Sequence, residues 1–93
     1  MTIGVLTVDL NMEGAFSLKD KRAVINRIRD RVRNKFNVSI AEVDGNELWN
    51  YGCLGIAVVS NDKTYANQVL SKVVELMESI RDCEIEDITM EFI

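Results

Sequence analysis

The apolar periodicity of this 93-residue chain switches from two residues to about 3.6 and back, twice over, and the order of those switches restricts its fold. Thr2–Met12 alternates: Gly4, Leu6, Val8, Leu10 and Met12 fall on one side, Ile3, Val5, Thr7, Asp9 and Asn11 on the other. That pattern is a strand half buried against helices. Glu13-Gly14-Ala15 breaks it. Ser17 then opens a helix, with Asp20 three residues on as a carboxylate form of the capping box and Phe16 placed as a staple residue. Leu18, Ile25, Ile28, Val32 and Phe36 share one helical face, and the helix is expected to end near Lys35.

Asn37–Val43 reads as a second strand. Asp44-Gly45 fits a two-residue type I′ hairpin, but Asn46-Glu47-Leu48-Trp49-Asn50 is poor strand material, so a longer connection carrying Trp49 is expected. Cys53–Ser60 is a third strand. Its Leu54–Val59 core is apolar on both parities, which marks a central strand or one whose outer face meets another subunit. Asn61 or Asp62 caps a second helix to about Arg81, burying Ala66, Val69, Leu70, Val73, Leu76, Met77 and Ile80. Cys83–Ile93 is the fourth strand, where alternation puts Glu84 and Glu86 on one face and Asp87 on the other.

The order βαββαβ predicts a single domain over residues 1–93. Its class is α+β: a ferredoxin-like sandwich with a four-stranded antiparallel sheet and both helices on one face. Right-handed crossovers set the first and fourth strands side by side, and the first and third are expected to be central and parallel. Ile3, Val5, Thr7, Ala57, Val59 and part of Ile85–Ile93 then line the open face. An apolar open face in so small a domain implies a partner, and a homodimer is one such arrangement.

Composition narrows the function classes. No apolar run approaches the length of a membrane span and the N-terminus has no basic leader, so no membrane partner and a cytoplasmic location are expected. Histidine is absent, which removes Cys/His zinc sites and the commonest general base. Cys53 and Cys83 are lone thiols, read as small buried residues of a reduced protein rather than as a bridge. The loop after the first strand has neither the arginine of a phosphate loop nor paired metal-binding cysteines. The acids of the fourth strand read as solvated edge charge. Hence no catalytic residue, metal or cofactor is expected, and the chain is read as a non-enzyme.

The charge pattern points to a binding role. Eight of the eleven basic residues lie between Lys19 and Lys35, with only Asp20 and Asp30 among them. That is a net of +6 within a chain totalling −4. Lys19, Arg22, Asn26, Arg29 and Arg33 fall within about 80° of helical arc, with Lys21, Arg27, Arg31 and Lys35 spread over the other exposed sides. A positive stripe on a helix is the electrostatic footprint of a nucleic-acid contact, and arginine forks match phosphate oxygens. A merely solvated face, or one neutralised by the protein's own carboxylates, is the competing reading. The first and third strands carry no aromatic residue, so base stacking on the sheet is not expected. Trp49 and Tyr51 fall in the connection before the third strand, either as a partner interface or as a lid over the end of the core.

Ile3-Gly4-Val5-Leu6, Ser17–Arg22, Arg33–Val43, Leu48-Trp49 and Leu54–Asp62 together resemble the YlxP-like proteins, small bacterial domains of unknown function. The resemblance covers nearly the whole chain and implies a ferredoxin-like fold. It also implies a gene neighbourhood that often holds translation-initiation and ribosome-maturation factors, which points toward structured RNA or the ribosome as partner. Glu13 departs from the family, which often has proline there. No catalytic residues are implied.

Overall fold

Each helix starts where a side chain replaces a missing backbone partner. Ser17 sits in extended backbone and its hydroxyl accepts the Asp20 amide at 3.1 Å, while the Asp20 carboxylate accepts the Phe16 amide at 3.1 Å. Asp62 does the same for the Thr64 amide at 3.0 Å. Two orphan amides are thereby satisfied at the first helix. Phe16, however, is 82% exposed, so the expected hydrophobic staple does not form.

The computed structural model describes residues 1–93, as β1 (Thr2–Asn11), α1 (Leu18–Lys35), β2 (Ser39–Asp44), β3 (Tyr51–Ser60), α2 (Lys63–Glu78) and β4 (Glu84–Phe92). The sheet order is β2-β3-β1-β4. This is the expected ferredoxin-like arrangement, with β1 beside β4 and β1 and β3 central. The two central strands are antiparallel, not parallel: Ile3 faces Val59, Val5 faces Ala57 and Asn11 faces Tyr51. The reason is topological. Each helical crossover makes a strand parallel to its predecessor but one place removed, so β1 matches β2 and β3 matches β4. The β2–β3 hairpin then reverses the second pair against the first.

A register shift in β4 overturns a second expectation. Asp9 pairs with Asp87 and Leu10 with Ile85, which leaves Glu86 as the inserted residue of a bulge. Glu84, opposite Asn11, and Asp87, opposite Asp9, therefore share the open face that simple alternation assigned to them separately.

The other face holds one core of 19 side chains. Leu6, Val8 and Leu10 of β1 and Leu54, Ile56 and Val58 of β3 lie under Ile25, Ile28 and Val32 of α1 and Ala66, Leu70, Val73 and Met77 of α2. Helix α1 lies mainly over edge strand β2, and α2 over β1 and β3. A Cβ at Gly4 would stand 2.9 Å from Leu70 Cδ1 and 3.1 Å from Val58 Cγ1, so this glycine sets how closely α2 approaches β1. Both cysteines are buried and unbridged. No helix is long and apolar enough to cross a membrane.

Candidate nucleic-acid interface

Helix α1 presents three faces. Its buried face carries Val24, Ile25, Ile28 and Val32, and also Lys21. Lys21 is 1% exposed, which corrects its assignment to a solvent side. The spacing of residues 21, 25, 28 and 32 is that of one apolar stripe, so the sequence did carry the signal. The ammonium is met by three oxygens: it donates to Gly45 O at 2.5 Å and Leu48 O at 2.6 Å, and Glu42 Oε2 lies at 2.7 Å. The carboxylate contact is a charge pair off the hydrogen-bonding direction, which leaves Glu42 Oε2 without a formal donor. A buried charge is tolerated only with such compensation.

The face toward the end of α2 carries Arg27, which pairs with Asp82. The third face is the expected stripe. Lys19, Arg22, Asn26 and Arg33 are exposed along it and Arg29 is half-buried. None of these cations meets a carboxylate of the protein. Arg33 Nη2 reaches the Ile40 carbonyl of β2 at 3.4 Å, a long contact that fixes the stripe to the β2 side of α1. Arg29 Nε is buried without an acceptor.

The structure separates the two residues expected to act together in the β2–β3 connection. Trp49 lies in the loop and is 46% exposed, so it does not close the core. Tyr51 is the first residue of β3, half-buried on the open sheet face, and its hydroxyl donates to Asp9 Oδ1 at 2.8 Å. The third strand thus does carry one aromatic, contrary to expectation. Its setting is acidic: hydrogen bonding to the Asp9 carboxylate, with burial, pushes the Tyr51 phenol up to about 12. Burial, then the Asp9 hydrogen bond, raises the neighbouring Cys53 thiol to about 11, which makes it a poor nucleophile. With Asp87 across from Asp9, this surface repels phosphate rather than holding it.

Nothing else gathers chemistry. No group of three or more Cys, Asp or Glu side chains is placed to hold a metal. A hollow of about 500 Å³ is lined by Lys35, Lys72, Glu75, Leu76 and Ser79, a mixed-charge surface depression with a single apolar residue.

The family profile described as "Protein of unknown function (DUF503)" matches residues 3–90. The chain belongs to that family. Its match to the Uncharacterized protein YlxP of Bacillus subtilis (strain 168) is 39% identical over 82 residues, covering 88% of this chain and 89% of that one. The YlxP-like resemblance read from the sequence is therefore sound. Among solved structures, the de novo designed protein Foldit4 superposes with a TM-score of 0.58 over 98% of this chain and 97% of that one. At 14% identity this is a likeness of fold alone. In this DUF503 chain, as in any shared fold, function resides in the surface chemistry and not in the architecture.

Proposed function

We propose that the protein is a non-catalytic, cytoplasmic binding domain that contacts structured RNA, free or on the ribosome, through Lys19, Arg22, Asn26, Arg29 and Arg33. The observation that carries this reading is the lack of any carboxylate partner for the four cations of that row, although the molecule holds fifteen acids. A second observation agrees. Helix α1 contains like-charged i, i+4 pairs at Arg27/Arg31, Arg29/Arg33 and Arg31/Lys35, each of which costs a helix about 0.2–0.5 kcal/mol. Stability alone gives no reason to keep them. Three or four neutralised phosphates give a log–log salt slope between about −2 on single strands and about −3.6 on duplex segments. Titration of a structured RNA at several salt concentrations tests this, with Lys19→Glu/Arg22→Glu as the control. The expected result is steep weakening with salt and loss of binding in the double variant. No association even at low ionic strength overturns the proposal.

A second reading is a homodimer through the open sheet face, favoured by Val59 and Val43, which are 64% and 60% exposed beside Gly55 and Ala57. Light scattering at micromolar protein decides it. Dimer mass that reverts to monomer in Val59→Glu supports it, and a monomer in the unaltered chain excludes it.

A further inference from the structure

Exposed large apolar side chains occur over much of the surface, and three of them gather at one place. Phe16, Leu48 and Trp49 all belong to the two loops at one end of the sheet, those that follow β1 and β2. The loops are joined there, because the Met12 amide donates to Asn50 O at 2.9 Å. The first turns of α1, carrying Lys19 and Arg22, rise from the same end.

What holds the Trp49 loop is unusual. Gly45 takes φ +77° and starts a turn closed by the Leu48 amide on Gly45 O at 2.9 Å. A side chain at 45 would collide with the Tyr51 ring, its Cβ 2.6 Å from Cδ2. Both carbonyls that bound the turn, Gly45 O and Leu48 O, are then taken by the buried Lys21 ammonium. Lys21 therefore spends a buried charge on fixing the backbone that displays Leu48 and Trp49. The result is an ordered aromatic platform, open to solvent, next to the uncompensated cations of α1. Acids crowd the sheet face around Asp9 and Asp87, whereas the platform sets exposed aromatic surface beside free positive charge.

We infer that this platform stacks unpaired nucleobases, so that the RNA is engaged at a single-stranded loop or bulge rather than along a continuous duplex. Phosphates flanking the splayed base lie on Arg22 and Lys19, and the base lies on the Trp49 indole. The inference rests on the phosphate-binding reading of α1 but is separable from it. Bases have π faces whatever their sequence, and removing one stacking aromatic weakens single-strand binding about tenfold to a hundredfold. Duplex bases are already stacked and are not available to the platform.

Trp49 is the sole tryptophan, so its emission reports on the platform directly. The test is titration with a fluorescein-labelled 12-nucleotide single-stranded RNA and with its perfect duplex, following RNA anisotropy and Trp49 emission. Single strand is expected to bind more tightly and to quench Trp49. Trp49→Ala is expected to weaken it about tenfold or more while leaving duplex binding and the salt slope unchanged. Phe16→Ala, at a position with no packing role, is expected to weaken it less. If Trp49→Ala binds single strand as well as the unaltered protein, or if duplex binds at least as tightly, the inference fails while the stripe survives. If neither RNA binds at low salt, both fail. If Trp49→Ala alters only oligomeric mass, the platform is a protein contact and the inference is overturned.

Discussion

Lys21 concentrates the most consequence in one side chain. Its ammonium is buried against two carbonyls and a carboxylate, and the cost of removing a partner depends on what stays behind. Lys21→Met abandons a buried carboxylate and two carbonyl oxygens, so a loss of about 3–5 kcal/mol is expected in urea unfolding. Glu42→Gln leaves the ammonium with both carbonyls and an amide oxygen, and is expected to cost only about 1–2 kcal/mol. Equal losses in the two variants would mean that the carbonyl contacts contribute nothing. Titration supplies a second expectation. The folded state holds the Cys53 thiol at about 11 against an ordinary 9, and the Tyr51 phenol at about 12 against 10. Above pH 9 the unfolded chain therefore releases protons that the folded chain keeps, and stability must fall as pH rises. The decline is expected from pH 9 to 12 and should be reduced by Cys53→Ala and Tyr51→Phe. A flat stability profile over that window in the unaltered protein would mean that the folded state holds neither proton more tightly than the unfolded chain does.

Local chemistry made the elements readable, and long-range pairing did not. Ser17 and Asp62 cap the helices they were expected to cap, because a hydroxyl or carboxylate ahead of an apolar stripe has few other uses. The apolar faces of α1 and α2 likewise emerged from spacing alone. Strand parity failed where an insertion resets it: nothing in Glu84-Ile85-Glu86-Asp87 announces a bulge, which exists only relative to β1. The Tyr51–Asp9 hydrogen bond was hidden for the same reason, being 42 residues apart in sequence. In the candidate site, the stripe was visible from charge and periodicity. Lys21 was missed because a lysine is read as solvated before its angle is checked. Capping also separates the two residues that flank the start of α1. Ser17→Ala removes an acceptor from the Asp20 amide and is expected to cost about 1 kcal/mol, lowering Tm by about 4–8 °C. Phe16→Ala touches no packed surface and should leave Tm unchanged. A fall in Tm for Phe16→Ala would mean that its ring packs as a staple after all.

Taken as one body, the molecule is an electric dipole laid across its sheet. Cations line the β2 side of α1, and Glu84, Glu86, Asp87 and Glu91 lie on β4 at the opposite edge. This polarity is carried by side chains, not by the fold. Its consequence is orientation. On the proposed RNA-binding reading, the acidic molecule as a whole repels RNA at long range, and the field gradient is what would turn α1 toward it. Four strands span about 14 Å from β2 to β4 at ~4.8 Å per step, a distance longer than the ~10 Å Debye length at 0.1 M salt and shorter than the ~30 Å at 0.01 M. Neutralising the β4 acids (Glu84→Gln, Glu86→Gln, Asp87→Asn, Glu91→Gln) brings the formal net charge from −4 to zero without touching α1. Stopped-flow association with single-stranded RNA is then expected to accelerate several-fold at 0.01 M salt and to match the unaltered protein above about 0.1 M. Trp49→Ala, by contrast, should act on dissociation at every salt concentration, because stacking is a contact made after arrival. A rate gain from the β4 variant that persists at high salt would place those acids in contact with the RNA, and the dipole would no longer account for how the partner is met.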